Sequence, residues 1–199
     1  MRAYFNNPRV IMFVSAVLPL AVFIFPLWNI TLEAPQYPTP LGMNIHINDF
    51  SSVNPHDIKN INILNHYIGM KYIPDSIPEF KIFPWVIILT SLLGIVISLN
   101  FENKYFFYWF FLMCLLSTAG LIDFYLWEMD YGYNLDSKAI LKFTNPDGTD
   151  LAYQPPVFGS KQVLNFTVHS YPRLGAYFLG FGIILSLYAF IISKKLNAK

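Results

Sequence analysis

Four stretches of this chain are each long and apolar enough to cross a lipid bilayer as a helix. Because a helix rises about 1.5 Å per residue, roughly 20 apolar residues span the hydrocarbon layer. The stretches cover residues 10–30, 83–101, 105–127 and about 174–192. They leave two long connecting segments, residues 31–82 and 128–173, and no room for a second large domain. We therefore predict a single integral membrane domain over residues 1–199, an all-α protein built as a bundle of four transmembrane helices.

The composition agrees with a membrane protein. Hydrophobic residues make up 55% of the chain and charged residues only 13%, whereas a soluble domain carries about 25% charged residues. The formal net charge of +1 argues against a nucleic-acid partner, because phosphate binding takes many basic side chains. The single cysteine, Cys114, excludes an internal disulfide and a Cys-x-x-Cys redox pair. The lipid bilayer is thus the first partner that the sequence implies.

The distribution of basic residues predicts the orientation of the chain in the membrane. Outside the two long connecting segments, the basic residues lie in the N-terminal segment, the 101–104 turn and the C-terminal tail: Arg2, Arg9, Lys104, Lys194, Lys195 and Lys199. Glu102 is the one acidic residue in those regions. Because basic residues are enriched on the cytoplasmic side, both termini are predicted to lie in the cytoplasm. Both long segments are then extracytoplasmic.

The first long segment contains signals for a strand and a short helix. Residues 41–47 alternate between large apolar residues and small or polar ones, which is the period of a β-strand. Asn54 followed by Pro55 is typical of a helix start. Apolar residues then recur at helical spacing up to Gly69, where the helix is predicted to end.

The second long segment predicts a hairpin and leaves one stretch undecided. Residues 145–148 read Asn-Pro-Asp-Gly, a turn sequence with proline at its second position and glycine at its fourth. Residues 139–143 and 151–154 are therefore predicted to pair. The periodicity of residues 161–169 favours neither helix nor strand.

Soft metal-binding donors are concentrated in these two segments. All four histidines lie there, and His66 and Met70 are four residues apart at the end of the predicted helix. On one helical face, side chains at this spacing lie within reach of one ion. Imidazole suits copper, zinc and iron, whereas a thioether selects Cu(I). The alternative is that the His66 ring hydrogen-bonds a backbone carbonyl and that Met70 packs against the helices.

Three acidic residues, Asp123, Glu128 and Asp130, lie at the outer end of the third apolar stretch. An ionisable group in a membrane span is costly and by default suggests a functional site. Asp123 could equally reach the interface or pair with a basic residue of a loop. The three carboxylates could also attract cations or a basic partner protein.

The predicted metal-binding residues are therefore His66, Met70, Asp123, Glu128 and Asp130. No catalytic residue is predicted, because the chain contains no Gly-rich phosphate loop, no His-Glu-x-x-His zinc helix and no Gly-x-Ser-x-Gly elbow. The sequence leaves open whether the protein is an enzyme, although a non-enzymatic role agrees better with these absences.

Six segments of the chain resemble one family of bacterial membrane proteins. They read Glu-Ala-Pro-Gln-Tyr-Pro (33–38), Leu-Asn-His-Tyr-Ile-Gly-Met (64–70), Pro-Glu-Phe-Lys-Ile (78–82), Asp-Phe-Tyr-Leu-Trp-Glu-Met-Asp-Tyr (123–131), Tyr-Gln-Pro-Pro (153–156) and Lys-Gln-Val-Leu-Asn-Phe (161–166). This uncharacterised four-span family is encoded among the accessory genes of nitrous-oxide reductase, a copper enzyme matured outside the cytoplasmic membrane. The family has Tyr-Gly-His where this chain has Tyr-Gly-Tyr at 131–133. If that histidine is a ligand in relatives, this chain lacks it.

The resemblance implies a process rather than a mechanism. It implies a non-enzymatic accessory protein of the bacterial inner membrane that acts in copper delivery or assembly for nitrous-oxide reductase. Copper is the implied cofactor, and membrane or periplasmic proteins of the same assembly system are the implied partners. The alternative is a metal-free structural or interaction subunit of a membrane complex. For that class, the four spans and the strand-bearing first segment resemble the layout of claudin-like tetraspan proteins, which is an analogy of fold alone.

Overall fold

The computed structural model describes residues 7–100, 102–144, 148 and 151–197. The helices are α1 (Pro8–Val17), α2 (Asp57–Ile68), α3 (Glu79–Asn100), α4 (Lys104–Tyr133) and α5 (Leu174–Asn197), and a short 3₁₀ helix, Leu18–Phe23, continues α1. The strands are β1 (Trp28–Glu33), β2 (Leu41–Ile45), β3 (Phe50–Ser52), β4 (Gly159–Val163) and β5 (Phe166–Pro172). Most of the predicted turn at 145–148 lies outside the described residues, as do the basic residues Arg2 and Lys199.

The predicted all-α fold is wrong, because the two long connecting segments together form a five-stranded antiparallel sheet. The strand order is β3-β2-β1-β5-β4. The first segment contributes β2, β3 and the second half of β1, and the second contributes β4 and β5, so the two segments meet where β1 pairs with β5. Within that pair, Trp28 lies opposite Pro172 and Glu33 lies opposite Thr167. Local periodicity identified single strands, but it could not reveal a pairing between segments so distant in the sequence.

The undecided stretch at residues 161–169 is part of a hairpin. β4 and β5 run antiparallel, with Val163 opposite Phe166 at the turn. Residues 139–143 and 151–154 were predicted to pair as a second hairpin. Of that pairing, the described residues retain one backbone hydrogen bond, from the Leu151 N–H to the Phe143 carbonyl at 2.9 Å.

The first predicted span, residues 10–30, does not form one long helix. α1 ends at Val17, the 3₁₀ helix ends at Phe23, and β1 already begins at Trp28. Pro19 lacks an N–H for the α-helical hydrogen-bond pattern, and Pro26 disfavours helical dihedral angles in the residue before it. The apolar stretch is therefore shared between helix and sheet. Among the described residues, three helices (α3, α4 and α5) are long and apolar enough to cross a membrane, rather than four.

The helices α1, α3, α4 and α5, with the 3₁₀ helix, pack side by side in what we call the helical layer. Met12, Phe106 and Trp109 are fully or almost fully buried in its core. Its surface instead carries large exposed apolar side chains, including Trp85, Leu89, Leu92, Phe111, Leu115, Phe181 and Ile184. Exposed apolar surface of this extent is typical of a protein that contacts lipid.

The sheet has one face that is mainly apolar. Because side chains alternate along a strand, Ile30 and Leu32 of β1 lie on the same face as Met43 of β2 and Val168 of β5. α2 packs against this face. We call the sheet, α2 and the segments 69–78 and 151–158 the sheet module.

The long helix α4 joins the helical layer to the sheet module. Its 30 residues extend over about 45 Å, whereas the hydrocarbon layer is about 30 Å thick. The apolar part of α4 ends at Trp127, and residues 128–133 extend beyond it into the sheet module. There, a Cβ atom added to Gly132 would lie 2.3 Å from the Cα atom of Gln154. This close approach, which only glycine permits, fixes the end of α4 against segment 151–158.

Candidate functional site

A cavity of about 100 Å³ lies between the sheet module and the end of α4. Its walls are the apolar face of the sheet, α2, the segment that follows α2 and the end of α4. Most of the lining is aliphatic or aromatic, and it includes Ile30, Leu32, Ile61, Ile73 and Val168. A cavity of this volume can hold a few water molecules or a small ligand.

The segment after α2 is held in place by side chains of α2 and α4. Gly69 ends α2 with a φ of +81°, a left-handed conformation that glycine adopts without strain. The Asn62 side chain then binds both backbone groups of Ile73, accepting from its N–H at 2.7 Å and donating to its carbonyl at 3.3 Å. From α4, the Tyr131 hydroxyl donates to the carbonyl of Tyr72 at 2.9 Å. These bonds fix the segment along the wall of the cavity.

Glu128 is the one acidic side chain in the cavity lining. It is completely buried, and neither carboxyl oxygen has a hydrogen-bond partner among the described residues. Burial among apolar groups disfavours the charged form and raises the pKa of Glu128 from 4.5 to about 8. Without a partner, a buried ionised carboxyl costs several kcal/mol, of order 5. The carboxyl is therefore held neutral at pH 7 until a ligand or cation compensates its charge.

Two methionine thioethers line the same cavity. Met70 comes from the segment after α2, and Met43 comes from β2, where it is almost fully buried. The side chains of Met43 and Met70 also belong to the same apolar cluster as Tyr131. Sequence reasoning selected Met70 but not Met43. The alternation of residues 41–47 places Met43 on one face of a strand, but nothing local indicated which face meets the end of α4.

His66 does not line this cavity. Its side chain is exposed, and its ring stacks on the Tyr72 ring, with centroids 6.1 Å apart and an interplanar angle of 19°. The predicted spacing assumed that the helix continues through Met70, but α2 ends at Ile68 and the chain turns at Gly69. The helical relation between His66 and Met70 is therefore lost.

The other two predicted carboxylates lie apart from Glu128. Asp130 forms an exposed ion pair with Lys71, with 2.5 Å between Oδ2 and Nζ. The hydrogen bonds from Lys71 and Asn134 hold the pKa of Asp130 below its ordinary value. Asp123 lies in the apolar part of α4, near the carboxyl of Glu79. The cavity thus receives Met70 and Glu128 from the predicted set, and not His66, Asp123 or Asp130.

A serine, a histidine and a glutamate form a hydrogen-bonded series on the sheet away from the cavity. The Ser160 hydroxyl lies 2.6 Å from Nδ1 of His169, whose Nε2 lies 3.3 Å from a carboxyl oxygen of Glu33. Ser160 and His169 are direct cross-strand neighbours, which is sufficient reason for the contact. Ser160 and Glu33 are exposed, so the series lacks the enclosed site in which a serine nucleophile operates.

No protein-family model, curated protein or solved structure matches this chain. Among the described residues, no three His, Cys, Asp or Glu side chains come together as a metal site. A metal site in the cavity would accordingly depend on methionine sulfur. A buried carboxyl without a partner, in a cavity also lined by two thioethers, fits a soft monovalent cation such as Cu(I).

Proposed function

We propose that this chain is a membrane-anchored, non-enzymatic accessory protein whose sheet module binds Cu(I). One observation carries the proposal: Met70 and Glu128, which the sequence selected separately as metal ligands, line the same cavity. Neither carboxyl oxygen of Glu128 has a hydrogen-bond partner among the residues that the structure describes. His66, Asp123 and Asp130 are assigned no contact with the ion.

The charge of the cavity supports a monovalent cation. When Cu(I) binds, the Glu128 carboxyl would release its proton to solvent, and the resulting carboxylate and the Cu(I) ion together carry no net charge. Placing both in an apolar cavity avoids most of the cost of burying either one alone. The thioether of Met70 adds a soft donor without adding charge. The bound copper would take part in no reaction in this protein, because the proposed function is to carry the ion and not to catalyse a reaction with it.

The resemblance supplies the process in which this binding would operate. Segments 64–70 and 123–131, which carry Met70 and Glu128, are two of the segments that resemble the family encoded with nitrous-oxide reductase. We therefore propose that the bound copper serves delivery or assembly for that enzyme. The partners would be membrane or periplasmic proteins of the same assembly system.

The proposed location is the bacterial inner membrane, with the sheet module on the extracytoplasmic face and both termini in the cytoplasm. Arg9, Lys104 and Lys194 line one groove at the end of the helical layer. Lys104 begins α4, whereas Glu128 lies near its other end. The basic residues and the cavity are thus at opposite ends of the longest helix, as the positive-inside rule would require for this orientation.

A Cu(I) titration of the purified full chain in detergent tests the binding. With a competing Cu(I) chelator, the affinities of Met70→Leu and Glu128→Gln should each fall at least about tenfold. His66→Ala and Met113→Leu serve as controls, because His66 lies outside the cavity and Met113 is buried in the helical layer. Both controls should bind as the wild type does. Equal affinities for all five proteins, or no binding by any, would remove the proposed site.

A second experiment tests the process. In a denitrifying bacterium that carries the gene, its deletion should lower the copper content of nitrous-oxide reductase. The wild-type gene should restore that content, and the Glu128→Gln gene should not. Normal copper content in the deletion strain would mean that this protein has no role in the assembly of nitrous-oxide reductase, even if the protein binds Cu(I).

A metal-free structural or interaction subunit is the second candidate function. The observation in its favour is that Asp130 is already paired with Lys71, so this carboxylate contributes little net charge with which to attract a cation. Under this alternative, the chain should co-purify with a membrane partner from a detergent extract treated with a metal chelator. Loss of the partner on chelation would favour the copper-dependent function.

A further inference from the structure

We propose that Met43 is the third ligand of the cavity and that, with Met70 and Glu128, it selects a soft monovalent cation over Zn(II) and Cu(II). This inference rests on the proposed Cu(I)-binding function and adds to it a ligand and a rule of selectivity. It uses a residue that the sequence did not single out as a ligand.

Met43 lines the cavity from a rigid position. It lies in β2, paired with Ile30 of β1 on one side and Ser52 of β3 on the other. Its carbonyl also accepts a hydrogen bond from Asn29 Nδ2 at 3.1 Å. Met43 is only 3% exposed and is one of the residues that line the cavity, so it is almost entirely removed from bulk solvent.

The three proposed ligands come from three separate parts of the fold. Met43 belongs to the sheet, Met70 to the segment after α2, and Glu128 to α4. Each part is held by specific contacts: the sheet by its strand pairs, the segment by Asn62 and by Tyr131 of α4, and α4 by the close approach of Gly132 to Gln154. An ion bound by all three would therefore tie the sheet module to the helical layer.

The donor set provides the selectivity through charge and softness. Two thioethers are neutral and soft, so they favour Cu(I) or Ag(I) over harder cations. One carboxylate cancels the charge of a monovalent ion but leaves a divalent ion with one uncompensated charge. In an apolar cavity, that remaining charge is expensive. Zn(II) and Cu(II) should accordingly bind weakly, even though one carboxylate is available to them.

The test measures binding of Ag(I), Cu(I) and Zn(II) to the full chain purified in detergent, without a chelating tag. Ag(I) is included because it is soft, monovalent and stable in air. Wild type should bind Ag(I) and Cu(I) at least about a hundredfold more tightly than Zn(II), because the second charge of Zn(II) is not compensated in the cavity. Met43→Leu should weaken Ag(I) and Cu(I) binding at least about tenfold. Met12→Leu, a fully buried methionine of the helical layer, should change neither.

X-ray absorption at the copper edge provides a readout that does not depend on affinity. The wild-type Cu(I) complex should contain two sulfur neighbours at about 2.3 Å, the length expected of a metal–sulfur bond. Met43→Leu should contain one. Selenomethionine labelling of the otherwise unaltered chain provides a check that needs no substitution at Met43, because copper scattering should then appear at the selenium edge.

The possible failures are distinct. If the wild type binds neither Cu(I) nor Ag(I), the proposed function is overturned, and this inference with it. If Cu(I) binds with one sulfur neighbour and Met43→Leu leaves the affinity unchanged, Met43 is not a ligand although the function stands. Zn(II) affinity equal to that of Cu(I) would overturn the charge argument.

Discussion

The helical layer and the sheet module differ in how they accommodate buried polar groups. In the helical layer, most buried hydroxyls donate to backbone carbonyls. The Ser15 hydroxyl bonds the Gly182 carbonyl at 2.7 Å, and the Ser186 hydroxyl bonds the Ile183 carbonyl at 2.7 Å. Ser91 is the exception among the described residues of this layer. A neutral hydroxyl without a partner costs far less than an unpartnered charge.

Two carboxyl groups with opposite environments are buried in the sheet module: Asp57 of α2, and Glu128, which the end of α4 carries into the module. Asp57 begins α2 and accepts backbone N–H bonds from Gly42 and Asn54, each at 2.8 Å. These bonds connect the start of α2 to the start of β2, which is a structural role. For Glu128, no such bond is present within the described part of the chain. Within one module, the protein's own backbone bonds one buried carboxyl, whereas no described residue bonds the other, which leaves Glu128 available to a ligand.

The largest effect is expected from replacing the ionisable carboxyl of Glu128 with an amide. Because the folded pKa is about 8 and the ordinary value is 4.5, the folded state keeps a proton that the unfolded state loses as the pH rises between them. Stability of the metal-free protein should therefore fall across this window, by up to about 1.4 kcal/mol per pH unit and about 5 kcal/mol in all. Glu128→Gln should flatten the dependence of Tm on pH.

This measurement compares thermal unfolding of wild type and Glu128→Gln in one detergent from pH 5 to about pH 9. Every other side chain is common to the two proteins, so the difference between the two curves reports on Glu128. Parallel curves would contradict the buried, uncompensated carboxyl. They would mean that the buried polar groups of the sheet module, like most of those in the helical layer, have partners.

The second effect tests the junction between the two regions. Gly132→Ala adds a Cβ atom 2.3 Å from the Cα atom of Gln154, so α4 or segment 151–158 must move. We expect a loss of roughly 1–3 kcal/mol in stability, measured by thermal unfolding. Gly120→Ala is the matched control in the same helix, because its added Cβ meets no atom within 4 Å. A similar loss in both variants would mean that α4 is not anchored at this contact.

The third effect concerns the segment that carries Met70. Asn62→Ala removes the two hydrogen bonds that hold Ile73 and leaves both of its backbone groups without them. We expect stability to fall by about 1–3 kcal/mol and Cu(I) affinity to fall as the segment loosens. Lys59→Ala, at an exposed position of α2, should stay within about 0.5 kcal/mol of wild type. Unaltered Cu(I) binding in Asn62→Ala would show that the segment does not position the ligand.

The smallest effect is expected at the exposed pair of Lys71 and Asp130. The pair lowers the pKa of Asp130, so its stabilising contribution exists above the unfolded pKa and is lost as the pH falls through the folded pKa. Lys71→Met should reduce Tm slightly at neutral pH and low salt. The difference should vanish in about 1 M salt, where the screening length is about 3 Å. A large, salt-independent loss would mean that this pair is part of the buried site.

The acidic residues show which part of the candidate site the sequence could predict. Asp123, Glu128 and Asp130 were equivalent candidates, since all three lie near the end of one apolar stretch. On an α-helix, two residues turn the side chain by about 200°, so Glu128 and Asp130 must point to nearly opposite sides. Which of them meets the sheet depends on how α4 packs against the sheet, where the Trp127 ring lies against Phe50 of β3. Because that contact joins parts of the chain that are distant in sequence, no pattern in the residues around Glu128 predicts which carboxyl is buried.

The sequence by itself determined the local features of this protein. Apolar runs of sufficient length specify α3, α4 and α5, helical spacing specifies α2, and Gly69 ends it, because each feature depends on residues close together in the chain. Only the tertiary structure decided that two distant segments form one sheet, that Met43 and Met70 share a cavity with Glu128, and that His66 lies outside it. These outcomes depend on long-range packing, in which the burial of one side chain is decided by residues far away in the sequence.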